Sequence, residues 1–255
     1  MNGEEFIGRL LKAYQTGLAM DKADFPNGIN LNDAYSLQYA FTKAKLINNN
    51  ESLKGYKVSL TSPGTQALFE ANEPLFGQMT NAQVVKGFTI SMRHLISPLI
   101  ELELIFLVEE RITTSDNVET IIKKCQVAPG LEIPDSRFSD WFPKLSKEQV
   151  CADGAVGGRV VIGDGKDMTI DGLKNIRGVL SLNGTVLSEG RSSDVLGHPA
   201  NAVKWLADKL AQWDLSLEPG MFISSGTFIP PENLQAGTYE GIFEMIGSVK
   251  LVVSP

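Results

Sequence analysis

Apolar residues recur at helical spacing at the start of the chain. Phe6, Ile7, Leu10, Leu11 and Tyr14 fall on one side of a 3.6-residue repeat, and Gly17 supplies a stop. A second amphipathic helix is predicted from about Asn32, with Ala34, Leu37, Phe41 and Ala44 on its apolar side, ending before the turn-prone Asn48-Asn49-Asn50. After Gly55 the period changes. Tyr56, Val58 and Leu60 alternate with Lys57, Ser59 and Thr61, the pattern of a half-buried strand, and Ser62-Pro63 reads as the cap and first position of a short helix.

From about residue 90 the pattern is mainly β, with apolar stretches at 98–109, 126–133, 158–162, 178–188 and 242–253. Within LSLNGTVLS, Asn183-Gly184 marks a tight hairpin, because both central residues of such a turn need positive φ. One helix interrupts the strands, starting at Pro199 and carrying Val203, Leu206, Leu210 and Trp213 on one side. No repeat or low-complexity linker divides the chain. The expected architecture is a single α+β domain over residues 1–255, a mainly helical part (1–75) covering a β-rich core (76–255).

Composition removes several classes of function. With 255 residues and 43% hydrophobic content the chain can bury a sizeable core. Acidic residues outnumber basic ones by 30 to 23, and no Lys/Arg run tracks a phosphate backbone, so nucleic acid is not an expected partner. MNGEEFIGRL lacks the basic, apolar character of a secretory signal, and no apolar run suits a bilayer; a cytoplasmic location without membrane attachment is the expectation. Cys125 and Cys151 lack metal or redox spacing and read as two small buried thiols.

Three acids stand out. In PLIELELIFLVEE, Glu101 and Glu103 lie two apart between apolar neighbours, so both carboxylates project from one strand face. That face is either a solvated sheet surface or a site where a cation compensates the repulsion. Glu132, in APGLEIPDSRF, is placed to join them from a neighbouring strand, and three carboxylates suit a hard cation, Mg²⁺ or Mn²⁺. Lys57 is either an exposed edge residue or, if it faces the pocket, a group that holds a substrate carboxylate or exchanges a proton once its surroundings lower its pKa. His94 and His198, the only histidines, have no nucleophile motif or metal spacing around them. The glycines of ADGAVGGRVVIGDG lack the Lys-Ser/Thr of a phosphate loop.

The segments GYKVSLTS, PLIELELIF, PGLEIPDSRF, CADGAVGG, NGTVLSEG, VLGHPANAVKWLADKLA and ISSGTFIPP, in this order and spacing, cover nearly the whole chain. Together they resemble the 2-hydroxypenta-2,4-dienoate hydratase and 4-oxalocrotonate decarboxylase branch of the fumarylacetoacetate-hydrolase-like superfamily. The resemblance implies a mixed β-roll core in a homo-oligomer, Mg²⁺ or Mn²⁺ held by Glu101, Glu103 and Glu132, and Lys57 as the active-site lysine. It places Ser225-Gly226 against the substrate's carboxylate end, with Ser59 and Thr61 joining the substrate-binding set from the side of Lys57. The implied substrate is a small 2-oxo or 2-hydroxydienoic acid, and the implied reaction is hydration to a 4-hydroxy-2-oxo acid, as in aromatic-compound catabolism. Decarboxylation of a 4-oxalocrotonate-type acid, hydrolysis of an acylpyruvate, and a non-catalytic subunit associated with a sister enzyme of the family are the alternatives. Two positions depart from the pattern. Leu75 stands where the hydratases usually carry an aspartate and the decarboxylases an apolar residue, and Gly154, Val156 and Gly157 replace the more usual Asn, Ser and Ser.

Overall fold

The computed structural model describes residues 2–255. Helix α1 (Gly3–Thr16) is capped by the Asn2 side chain and closed by Gly17 at φ 67°; α2 (Leu31–Asn48) starts from a capping box between Asn30 and Asp33. The chain continues through β1 (Leu53–Ser59), α3 (Pro63–Leu68, capped by Ser62), β2 (Leu75–Thr80), β3 (Thr89–Ser91) and β4 (Leu99–Val108). Then follow α4 (Val118–Lys123), β5 (Cys125–Pro134), α5 (Lys147–Ala152), β6 (Gly157–Ile162) and α6 (Ile170–Leu173). The last third holds β7 (Arg177–Leu182), β8 (Thr185–Arg191), α7 (Pro199–Ala211), β9 (Phe222–Thr227), β10 (Glu232–Asn233), β11 (Gly237–Phe243) and β12 (Gly247–Ser254).

Two sheets organise these elements. The first has the order β2-β1-β9-β4-β5-β6, with β10 on β4, and the second runs β3-β12-β11-β7-β8. On β4 the even face, Leu102 and Leu104, is wholly buried, which leaves the odd face to carry Glu101 and Glu103. The second sheet lies against that even face. A Cβ at Gly241 of β11 would stand 2.7 Å from Leu102 Cδ1 and 3.1 Å from Leu131 Cδ2, so the approach depends on glycine there. On the outer flank, Phe6 and Leu10 of α1, Phe41 of α2 and Leu206 of α7 are buried in the same hydrophobic core.

One expectation changes, two strands are new and one open alternative is decided. The stretch 242–253 is a hairpin rather than one strand: β11 and β12 pair from Gly237↔Val253 to Phe243↔Gly247, and Met245 turns at φ 65°. Strands β2 and β9 escape a search for alternation because nearly every residue in them is buried, which erases the period-two pattern. Lys57 is not an edge lysine, since β1 lies between β2 and β9 and pairs with both.

Candidate active site

In the antiparallel ladder of β4 and β5, Glu101 is the Cα partner of Glu132, and Glu103 follows two residues along on the same face. Register and alternation together make the three acids converge: each offers a carboxylate oxygen within 4.8 Å of the others. Glu103 and Glu132 are buried, and Glu101 is half-buried and opens on a cavity.

The neighbouring strands hold the acids in place. Glu103 Oε2 accepts from Ser224 Oγ at 2.5 Å and from the Gly226 N–H at 2.9 Å. Glu132 Oε2 accepts from Lys57 Nζ at 2.8 Å, but buried Oε1 has no hydrogen-bond partner. Gly226 has φ 109° and sits so close to Thr61 that a Cβ would lie 2.3 Å from its Oγ1. Ser224 and the Gly226 N–H were not among the residues singled out for Glu103; the segment ISSGT shows small polar residues but not the strand neighbour they serve.

Burial is the largest influence on the acids. It pushes Glu101 well above the usual carboxylate range and, with Glu132 adding repulsion, raises Glu103 to about 7. Glu132 is also raised by burial, against the opposing pull of Lys57. Burial lowers Lys57, but Glu132, Glu101 and Glu103 outweigh it and leave the ammonium more firmly protonated than a free lysine. With all four groups ionised, three carboxylates face one ammonium and two negative charges remain buried. A divalent cation held by Glu101, Glu103 and Glu132 would neutralise that excess, and the unpartnered Glu132 Oε1 is available to it, so the donor set fits a hard dication.

The polar side chains of Lys57, Ser59, Thr61, Glu101 and Glu103 line the cavity. Strand β1 stops at Ser59 and Leu60 turns to φ 56°, yet Thr61 still reaches the wall. Trp141, Phe142 and Val150, which sequence patterning did not single out, are also in the lining. Neither Ser225 nor Leu75 is among the lining residues. Ser225 is buried with an unpartnered hydroxyl, and Leu75 is fully buried in the hydrophobic core as the cross-strand partner of Ser59.

The loop that ends β5 is anchored from below. Asp153 accepts from Ser136 Oγ at 2.7 Å, the Arg137 N–H at 3.0 Å and Arg137 Nε at 2.5 Å, and Arg137 Nη1 also donates to the carbonyls of Asp135 and Gly157. Asp153 thus finds its partners in DSR of PGLEIPDSRF, and the changes to Gly154, Val156 and Gly157 leave it satisfied.

No family model matches the chain. It is 31% identical to the 2-oxo-hept-4-ene-1,7-dioate hydratase of Escherichia coli over 236 residues, 89% of this chain and 87% of the relative. The chain belongs to the hydratase and decarboxylase branch of the fumarylacetoacetate-hydrolase-like superfamily. A second member, the 2-keto-4-pentenoate hydratase of Paraburkholderia xenovorans, is 30% identical over 97% of this chain and 93% of its own. The fold agrees with the branch. The 4-oxalocrotonate decarboxylase from Pseudomonas putida G7, complexed with magnesium and adipate, superposes with a TM-score of 0.87 at 24% identity, covering 99% of this chain and 98% of that one.

Proposed function

We propose that this family member is a divalent-metal-dependent lyase that hydrates a 2-hydroxy-2,4-dienoate, the enol of a 2-oxo-4-enoate, to a 4-hydroxy-2-oxo acid. The observation that carries the reading is the convergence of Glu101, Glu103 and Glu132 around an unpartnered buried oxygen beside Lys57. The hydratase relatives support the reaction type. Mg²⁺ or Mn²⁺ is the proposed cation, in keeping with an all-carboxylate donor set. When bound, the cation favours negative charge on the C2 oxygen of the substrate.

The chain's own groups do the rest. Glu103 is held by Ser224 and the Gly226 N–H and so presents its carboxylate in a fixed direction. Lys57 orients Glu132 through its ion pair and, beside the acids, is placed to exchange a proton from Nζ with the substrate chain, a carboxylate of the cluster being the partner that takes or returns it. Ser59 and Thr61 offer hydroxyls on the same side to the polar end of the substrate. Ser225 enters through its backbone, between the two residues that grip Glu103. The proposal takes residues 1–255 as one catalytic unit and extends to a cytoplasmic homo-oligomer able to associate with a sister enzyme. The family resemblance supports that extension, and the exposed apolar Ile242 and Val252 of the second sheet support the oligomer alone.

A second reading, decarboxylation of a 4-oxalocrotonate-type acid, is favoured by the apolar residues in the cavity lining, because a dry wall destabilises a carboxylate relative to carbon dioxide. One assay separates the two. With Mg²⁺ present, loss of the dienol absorbance of 2-hydroxypenta-2,4-dienoate and formation of 4-hydroxy-2-oxopentanoate are expected, and chelation abolishes both. Carbon dioxide release from 2-oxohexenedioate without hydration of the dienoate would replace the first reading by the second.

A further inference from the structure

A buried amide outside the cavity is committed at both of its ends. Gln83, in the turn that follows β2, is 1% exposed and is not among the residues lining the cavity. Its Nε2 donates to the carbonyls of Gly157 at 2.9 Å and Gly158 at 3.3 Å, and its Oε1 accepts from the Thr80 N–H at 3.0 Å and from Lys45 Nζ at 3.1 Å. The ammonium fixes the direction of the amide. A flipped amide would set its NH₂ against Lys45 and its oxygen against two carbonyls. Lys45 is 3% exposed, lies against the rings of Tyr14 and Phe41 and, among the described residues, donates to no group but Gln83. Burying a charge with so little compensation costs stability, so the contact with Gln83 calls for a role beyond packing.

The main chain that Gln83 holds touches the site. A Cβ at Gly157 would stand 3.5 Å from Lys57 Cδ and 2.7 Å from Met79 Sδ, so the backbone there backs the lysine stem with no side chain between. A Cβ at Gly158 would stand 2.3 Å from the carbonyl oxygen of Ile133, the residue after Glu132. The start of β6 therefore packs on the Lys57 side chain and against the main chain next to Glu132, the two partners of the buried ion pair. We propose that Gln83, oriented by Lys45, is a positioning residue for Lys57: its amide sets the place of the Gly157 main chain, and with it the stem that aims Nζ at Glu132 and at the substrate. This rests on the reading of Lys57 as the proton-exchanging group of a hydratase. Proton transfer is steep in distance, so a small shift of the stem slows the chemical step while substrate and metal still bind.

The test uses Gln83→Glu, which keeps the shape and the acceptor for Lys45 and Thr80 but puts an oxygen where the donor to Gly157 and Gly158 stood. Turnover of 2-hydroxypenta-2,4-dienoate is measured at saturating Mg²⁺ and expressed per site, the sites being counted by calorimetric titration with Mn²⁺. That count removes any unfolded fraction. In Gln83→Glu, kcat per site is expected to fall on the order of 10- to 100-fold. KM and Mn²⁺ affinity are expected to stay within about threefold of wild type, the split that marks an interaction needed only in the chemical step. Lys45→Met releases the amide without removing it, and is expected to lower kcat per site roughly 3- to 10-fold with the same split; it carries the test should Gln83→Glu fold poorly. An unchanged kcat per site marks Gln83 as structural and overturns the proposal alone, as does a loss of Mn²⁺ affinity and a rise in KM as large as the fall in kcat. No turnover of the dienoate by wild type overturns the hydratase reading, and the proposal with it.

Discussion

Glu101 and Glu132 face each other directly across the β4–β5 ladder, a like-charge pair on a face where like charges destabilise a sheet. The pair is tolerable when protonated or when a cation sits between. Saturating Mg²⁺, at about 100 times its dissociation constant, is expected to stabilise the protein by about 2.7 kcal/mol. That corresponds to a rise in Tm of roughly 5–10 °C for a chain of this size. Glu101→Gln removes one charge of the pair, so its metal-free Tm is expected to rise while its response to Mg²⁺ largely disappears. Differential scanning fluorimetry with and without chelator reads both, and a full metal response in the variant would take Glu101 out of the ligand set.

Lys57 is bound into stability as well as chemistry. Because Lys57 is buried beside Glu132, Lys57→Met strands a buried carboxylate, an effect worth about 3–5 kcal/mol. Adding Glu132→Gln is expected to restore much of the stability without restoring turnover. Chemical denaturation and kcat of the single and double variants separate the two roles. Wild-type kcat in Lys57→Met would leave only the structural one.

Leu75 stands behind the cavity wall as the cross-strand partner of Ser59, so a polar group at 75 shares the sheet face that carries Ser59 and Lys57. Leu75→Asp is expected to raise hydration relative to decarboxylation by about tenfold, below the roughly 10²–10⁴-fold of a fully positioned proton-transfer group because position 75 does not line the cavity. It also costs stability through a carboxylate placed in the core. The paired rates are compared in the folded variant under the same metal conditions. An unchanged ratio would show that Leu75 only packs.

Gly226, which donates its N–H to Glu103, has no room for a side chain beside Thr61. In Gly226→Ala the new Cβ meets Thr61 at a φ that suits glycine, with a backbone cost of about 1–3 kcal/mol. The strain displaces the N–H that holds Glu103. Loss of that support is expected to weaken Mn²⁺ binding roughly 10- to 100-fold in a folded protein, read by calorimetric titration. Unaltered Mn²⁺ affinity would separate Gly226 from the metal site.

Lys45 makes stability depend on pH far from the acids. It donates to Gln83 Oε1 at 3.1 Å between the rings of Tyr14 and Phe41. Burial, then the repulsion of Arg137, lowers its pKa to about 7, with Glu51 and Asp153 opposing and Arg159 adding repulsion. The unfolded chain holds this proton up to about pH 10.4. The Lys45 contribution is therefore at its least favourable below pH 7 and improves as pH rises from 7 to 10.4, with a slope of at most about 1.4 kcal/mol per pH unit. Lys45→Met leaves Gln83 Oε1 the Thr80 N–H as a donor and is expected to be more stable than wild type at pH 6. The advantage should vanish as pH approaches 10. A pH-independent difference in denaturation free energy would refute the lowered pKa.

Much of the local structure was legible in the chain itself. The ends of α1 and α3 and the Asn183-Gly184 hairpin follow from caps and turn residues that act within a few positions. The common face of Glu101 and Glu103 follows from strand alternation alone. The tertiary structure decided which strands adjoin and in what register. It set Glu132 opposite Glu101 rather than one residue away, where its side chain would point to the other face. It buried β1 between β2 and β9, which joined Lys57 to an acid 75 positions distant and reversed the pKa shift expected of a buried lysine. It also gave Asp153 its partner in Arg137. These relations depend on groups far apart in sequence whose energies exist only once the sheet has formed, so no local period encodes them.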